Sequence, residues 1–311
     1  MPEWVEVRRC PLCGEGKFEP FDRRIFRDVE VVNVMCSHCG LVIQSPRMSD
    51  EDLDRYYERE YALSHQGVKG VSEKELRVQS GRARHMLELL KSENVIVTSH
   101  LDIGSSTGML LELTQAAFGC RVVGVEPGEI YQSYSRARGI EVVSSLEDVA
   151  EFPQPRFDLI SMSHVLEHLA DPVRFLEELK ENYLTQGGTL LLEVPNLFGH
   201  TSFEAPHLTS FHRGTLRDVL QQAGFRVDLL KVHGRPRSKL LPLYLAAIAQ
   251  PSEAPEPIRW SSRGVRRRRK LGMGWKRAAT RLAPHWAWPP VESIPLIEPA
   301  AGEARSIKEA G

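Results

Sequence analysis

The chain has 311 residues, 41% hydrophobic and 26% charged, with a formal net charge of −1. That length supports one large core plus a smaller module. No run of about 18 apolar residues occurs and the charged N-terminus has no signal-peptide core, so the expectation is a soluble, cytoplasmic protein. The small net charge hides an asymmetry. Residues 259–281 carry ten Lys/Arg and no Asp/Glu, which leaves −11 on the remainder and makes any basic surface a local one.

Five cysteines divide into four and one. Cys10 and Cys13 form one CxxC, Cys36 and Cys39 a second, 22 residues lie between the two knuckles, and Cys120 stands alone. Paired knuckles bring four thiolates to one tetrahedral ion, and a closed thiolate shell leaves no site for water; the reading is a structural zinc ribbon over residues 1–47. Disulfides or a redox pair are the competing reading. Between the knuckles, a polar hairpin around Phe18 to Arg27 leads to the alternating stretch Val29, Val31, Asn33, Met35.

Residues 48–94 are read as linking helices. Ser49 caps an acidic-fronted helix through Leu53, Tyr56 and Tyr57, and a second helix spans about Ser72 to Lys91 with Leu76, Gln79, Ala83, Met86, Leu87 and Leu90 on one side. The domain of residues 95–250 opens with the apolar run Val95 to Val97, and LDIGSSTG (101–108) follows as strand, tight turn and helix. Gly104 and Gly108 permit positive φ and close approach of a ligand, and the helix from about Thr107 points unpaired N–H groups at the same place. Asp102 lies just inside the turn. Glu126 ends the next strand, Arg121 to Val125, where one carboxylate suits the adjacent hydroxyls of a ribose.

Further along, Gly128 to Arg138 reads as a helix, Ile140 to Val143 as a short strand and Phe157 to Met162 as another. Asp171 and Pro172 start a helix that Gly187 and Gly188 end. Thr189 to Val194 is a continuous apolar strand suited to the middle of a sheet. A loop of about eighteen residues follows, long enough to cover a substrate, holding His200, Glu204, His207 and His212. Histidines there titrate near neutrality, as proton removal requires. A helix from Thr215 to Ala223 then precedes an antiparallel pair, Phe225 to Val232 and Leu240 to Ala249, of which the second alternates poorly and also permits a helix.

The five blocks DIGSSTG, VVGVEP, FDLISMSHVLEHL, GGTLLLEVPN and TLRDVLQQAGF resemble, in this order, the class I S-adenosylmethionine (SAM) dependent methyltransferases, with Ser106 where many members have a third glycine. The resemblance implies an α/β Rossmann-like sheet of seven mostly parallel strands with helices on both faces. It implies a donor site at Asp102, Gly104, Ser105, Ser106, Gly108, Glu126 and Pro127, with Ser163 and His164 on the methionine side. In zinc-ribbon members a tyrosine-rich segment joins the ribbon to the catalytic domain, which makes Tyr61 a candidate lid residue beside the alternative of a packed hinge aromatic. Adenine falls near the end of the third strand, where Ser144, Ser145 and Leu146 replace a frequent Asp. HVLEH also fits the HxxEH pattern of a zinc protease class, but its place after an apolar strand decides for the methyltransferase block, in which Glu167 and His168 shape a helix start.

The segment Pro206 to Phe211 resembles a loop of deoxysugar C-methyltransferases whose histidine is a proposed base. His207 matches that histidine, while Pro206 and Glu204 stand where that family has glutamate and tyrosine, and the large C-terminal domain of those enzymes has no counterpart. The implied function is methyl transfer to a small molecule, a sugar or glycan-linked intermediate leading. The alternatives are a zinc-ribbon RNA methyltransferase and a non-catalytic module with a degenerate fold. Residues 251–311 are expected to be largely disordered, apart from a short helix at Gly274 to Leu282 with Trp275, Ala279 and Leu282 on one face. The partners expected for this basic tail are an anionic membrane surface, then a phosphorylated substrate, then nucleic acid.

Overall fold

The computed structural model describes residues 3–49, 51–53, 55, 71–201, 203–253 and 257–297. The expectations for Tyr56, Tyr57 and Tyr61 fall outside them. At the N-terminus β1 (Trp4–Val5), β2 (Phe18–Phe26), β3 (Val29–Cys36), β4 (Val42–Gln44) and β5 (Arg47–Met48) form the small module. Arg27 and Asp28 both take positive φ, the geometry of a tight turn that matches the twist of the β2–β3 hairpin. Ser49 Oγ accepts from the Asp52 N–H at 3.2 Å, as the expected helix cap requires. Then α1 (Glu73–Ser92) begins at Ser72, whose hydroxyl accepts from the Glu75 N–H.

The large sheet is built by β6 (Ser99–Ile103), α2 (Met109–Phe118), β7 (Arg121–Val125), α3 (Glu129–Arg136), β8 (Glu141–Val143), α4 (Leu146–Ala150), β9 (Phe157–Ser163), α5 (Pro172–Asn182) and β10 (Leu184–Pro195). There follow β11 (Thr209–Ser210), α6 (Arg213–Gln222), β12 (Phe225–His233), β13 (Tyr244–Pro251), α7 (Val265–Leu282) and α8 (Pro284–Ala287). Seven strands pair in the order β12-β13-β10-β9-β6-β7-β8. All run parallel except β13, which is antiparallel to both neighbours. The chain order reverses between β6 and β9, so their carboxyl ends flank the crevice in which such sheets bind ligands.

Several expected boundaries move. The apolar run Val95 to Val97 is not strand: Ile96 is 84% exposed, and pairing with β7 and β9 begins only at Ser99 and His100. Gly187 and Gly188 do not end α5 but lie in β10, where its register with β9 shifts between Leu184 and Thr189. The helix expected from Thr107 starts at Met109, with Gly108 as its cap. His212 is the cap of α6, its Nδ1 accepting from the Gly214 N–H at 3.0 Å, and so belongs to the helix and not to the substrate loop.

The basic segment differs most from its expectation. It is folded through residues 257–297, with α7 spanning 18 residues. Val265 and Ala279 are buried, whereas Trp275 and Leu282, expected on the same face as Ala279, are 51% and 81% exposed. Arg266 donates to Pro20 O and Ser262 Oγ to Ser37 O, pinning this segment to the ribbon. Beyond α8 the chain crosses α1, where Arg84 donates to Pro295 O and Leu296 O, and Ser80 Oγ accepts from the Ile297 N–H.

Candidate active site

The donor turn is organised by backbone strain and buried acids. Gly104 has φ +71°, and a Cβ there would sit 2.6 Å from Val165; Gly108 has φ +68° and faces Ser135 Oγ. Ser106 also takes positive φ, which costs a side-chain-bearing residue energy and is held by its surroundings. Those surroundings are specific. Glu126, buried, accepts from the Ser106 N–H through one carboxylate oxygen and from the Gly128 N–H through the other, both at 2.9 Å. The Ser106 carbonyl accepts from Ser135 Oγ. Glu126 thus ties the first turn to the second.

Asp102 is buried at the end of β6 and accepts from Ser161 Oγ at 2.5 Å. Ser161 Oγ is also 2.7 Å from His100 Nε2, and His100 Nδ1 is 2.8 Å from Thr114 Oγ1. Burial pushes Asp102 up to about 7 and His100 down to about 3. A neutral histidine and two hydroxyls thereby anchor an acid poised to change charge near neutrality. Ser105 Oγ and Ser163 Oγ are buried with no hydrogen-bond partner among the described residues. Polar atoms of that kind at the carboxyl ends of β6 and β9 fit a polar ligand.

His164, also at positive φ, does not stand alone. Its Nδ1 donates to Glu167 at 3.1 Å, and its Nε2 lies 3.1 Å from Arg82 Nη2 and 3.3 Å from Glu193. Arg82 Nε donates to Glu193 at 2.8 Å, and His233 approaches the other oxygen of Glu193 at 3.3 Å. Burial alone would raise both acids, but Arg82 and His164 hold Glu193, and His164 holds Glu167, at about 2. His164 itself is raised, its two carboxylate partners outweighing burial and Arg82. Tyr244 covers this network, edge-on to His164. Neither Arg82, Glu193, His233 nor Tyr244 was singled out from sequence. The signal available was Glu193, a lone charge inside the apolar run Thr189 to Val194.

Glu167, the partner of His164, also forms a wall of a pocket together with Asn196, His200, His207, Thr209 and Arg269. Leu166–His168 is a single 3₁₀ turn, not the long helix of a zinc protease, and carries Glu167 to the pocket wall. His207 comes from the expected loop and lies with its ring 4.8 Å from that of His168. Burial lowers His200 to about 3. Arg269, on α7, donates to Leu197 O and His200 O and is lowered by burial to about 10, so it remains a cation. The loop is docked from outside. Its strand β11 pairs with β4, extending the ribbon's sheet to the order β11-β4-β3-β2.

The four ribbon cysteines converge although they come from separate hairpins. Their sulfurs lie within 4.8 Å of one another, with Cys10–Cys39 and Cys13–Cys36 each at 3.6 Å. Thiolates around one tetrahedral ion at 2.3 Å stand about 3.8 Å apart, so the set fits the donor geometry. The fifth, Cys120, is buried at the start of β7.

Known proteins sort the fold. A methyltransferase-domain family matches residues 54–230. The chain belongs to that family. A tRNA U34 carboxymethyltransferase of Alteromonas mediterranea is 31% identical over 121 residues, which cover 35% of this chain and 34% of the relative. A ubiquinone biosynthesis O-methyltransferase of Hahella chejuensis is 35% identical over 79 residues, 23% of this chain and 33% of the relative. The chain thus spans about a third of the length of the curated relatives it matches. Among solved structures, the 1,6-didemethyltoxoflavin-N1-methyltransferase of Burkholderia thailandensis, with bound 1,6-didemethyltoxoflavin and S-adenosylhomocysteine, aligns with 76% of this chain and all of its own at a TM-score of 0.54 and 17% identity. That likeness is one of fold, and it agrees with the seven-stranded sheet of this methyltransferase domain.

Proposed function

We propose that this chain transfers the methyl group of S-adenosylmethionine to a small-molecule acceptor held between Arg269 and the Glu167 to His168 turn. The observation that carries the reading is the buried carboxylate pair Asp102 and Glu126, one beside the turn of positive-φ Gly104 and Gly108 and the other at the end of the next strand, at the switch point of a methyltransferase fold. In it, Gly104, Ser105, Ser106, Gly108 and Pro127 line the donor, Glu126 takes the ribose, Asp102 faces its cationic end, and Ser163 and His164 close the methionine side. The bound donor supplies an activated methyl on a sulfonium. What the protein adds is alignment and exclusion of water, with His207 on the acceptor side taking up a proton where the acceptor is a hydroxyl or an acidic carbon. Cys10, Cys13, Cys36 and Cys39 hold a structural zinc, which keeps β4 in place for β11.

A sugar or glycan-linked intermediate remains the acceptor class we favour, because the pocket wall carries histidines and the half-buried Arg269 cation, as an anionic or phosphorylated acceptor would need. The exposed side of α7 supports delivery from an anionic membrane surface. Leu271, Trp275 and Leu282 follow one exposed helical stripe, and Arg267, Lys270 and Arg281 border it. Sedimentation with anionic but not neutral vesicles is the expected result there; salt-sensitive RNA binding in its place would favour the RNA alternative.

Calorimetric titration of the zinc-loaded protein with SAM tests the whole reading. Saturable binding, weakened 10-fold or more by Glu126→Ala, is expected, since removing a carboxylate that takes charged hydrogen bonds costs about 1.5–3 kcal/mol. A folded protein that binds no SAM would leave the degenerate-module alternative standing.

A further inference from the structure

A second group of metal-ligating side chains, separate from the ribbon, stands at the wall of the acceptor pocket, which Glu167 and His207 line. Donor atoms of Glu167, His168 and His207 all lie within 4.8 Å of one another. Glu167 is 1% exposed, and its Oε2 is buried with no hydrogen-bond partner among the described residues. A buried carboxylate oxygen left unpaired is costly, and a carboxylate oxygen of Glu167 lies within 4.8 Å of a ring nitrogen of each imidazole. We propose that Glu167, His168 and His207 bind a divalent transition-metal ion that presents the methyl acceptor.

The groups behind these three residues are those of a metal centre. Ligating histidines usually donate their other ring N–H to a backbone carbonyl, and ligating carboxylates are themselves hydrogen-bonded. His168 Nδ1 lies 3.0 Å from Pro206 O, so that Nδ1–H donates and Nε2 carries the lone pair. Glu167 Oε1 accepts from His164, which is backed by Glu193 and Arg82. The orientation of both residues is therefore fixed from outside the site. Ligand atoms around an ion with bonds of about 2.1 Å stand about 3–3.5 Å apart, so small side-chain rotations close the shell.

Two imidazoles and one carboxylate select zinc, cobalt, manganese or iron over magnesium or calcium, and three protein ligands leave positions open. An acceptor oxygen fits an open position, with the Arg269 cation across the pocket for an anionic substituent. This part of the argument rests on the methyl-transfer reading. A hydroxyl bound to the ion loses its proton to water at neutral pH. Its oxygen then forms the new O–C bond as the donor's C–S bond breaks, and the sulfur keeps the electron pair. His207 acts in this arrangement as a ligand, which replaces its direct role as base. It reaches the site only because β11 is held on the ribbon's sheet.

The test is a Co²⁺ titration of the full chain with its four-thiolate site already filled by zinc, followed by visible absorption. One further equivalent is expected, with the weak bands of nitrogen and oxygen ligation and no thiolate charge transfer. His168→Gln and His207→Gln should each weaken that binding at least tenfold, while S-adenosylhomocysteine affinity and zinc content stay within threefold, showing that the variants are folded. Absence of saturable Co²⁺ binding, a thiolate-type spectrum, or binding indifferent to both substitutions would overturn the site. If Co²⁺ binds as expected and S-adenosylhomocysteine does not, the metal site stands and the methyl-transfer reading fails.

Discussion

The two ends of this crevice, proposed above to hold donor and acceptor, are built in opposite ways. The donor end is local: Asp102 to Gly108 and Glu126 to Gly128 lie on two consecutive βα turns, and the bonds that fix them run between these turns. At the acceptor end, a turn at 166–168, a loop at 195–212, Arg82 from α1, Arg269 from α7 and a strand pairing with the N-terminal module all meet. The charges differ too. Asp102 sits near 7 because burial has only a serine hydroxyl to offset it, whereas Glu167 and Glu193 sit near 2 because histidines and Arg82 surround them. A site made of two adjacent turns tolerates loss of distant structure; a site made of five segments does not.

The strongest way to break this comparison is to remove cysteines of the four-thiol set proposed to hold zinc. Cys10→Ser with Cys36→Ser is expected to unfold the ribbon, since thiolate–zinc binding is folding free energy on the order of 10 kcal/mol. Hydrogen exchange should then show loss of protection across 197–212, with S-adenosylhomocysteine affinity reduced less than tenfold. Equal loss at both ends would refute the division into a local and an assembled half. Next in size, Arg82→Met leaves Glu193, 0% exposed, without its cation. Breaking a buried pair from one side costs about 3–5 kcal/mol, to be read as a lowered urea midpoint.

His207→Ala should reduce turnover by about 10²–10⁴-fold with SAM affinity nearly unchanged; retained turnover on the true acceptor would remove His207 from the chemistry. The smallest effect belongs to the donor end. Because Asp102 holds its proton more tightly folded than unfolded, its contribution to stability is full below about pH 4 and is lost as pH rises to about 7. Denaturation of Asp102→Asn beside the parent should show a stability difference that shifts towards the variant between pH 5 and 7.5. A flat difference would mean that Asp102 is ionised throughout.

The sequence by itself determined the order of strands and helices, the glycine turn after Asp102, the acid Glu126 that ends the next strand, and the two cysteine knuckles. Each of these is written within about ten residues, where periodicity, caps and positive-φ positions act directly on the chain. Boundaries were less legible. Val95 to Val97 is as apolar as a strand but finds no partner, because pairing with β7 and β9 sets the register. Only the tertiary structure decided that Glu193, inside an apolar run, is neutralised by Arg82 from a helix 111 residues earlier. It also decided that the basic segment folds as α7 instead of lying in solvent, because Val265, Arg269 and Gly272 meet the ribbon and the 195–201 loop. Contacts of that separation leave no local pattern: a charge reads as a misfit in a strand, or as a solvated run, until the group that compensates it is brought alongside.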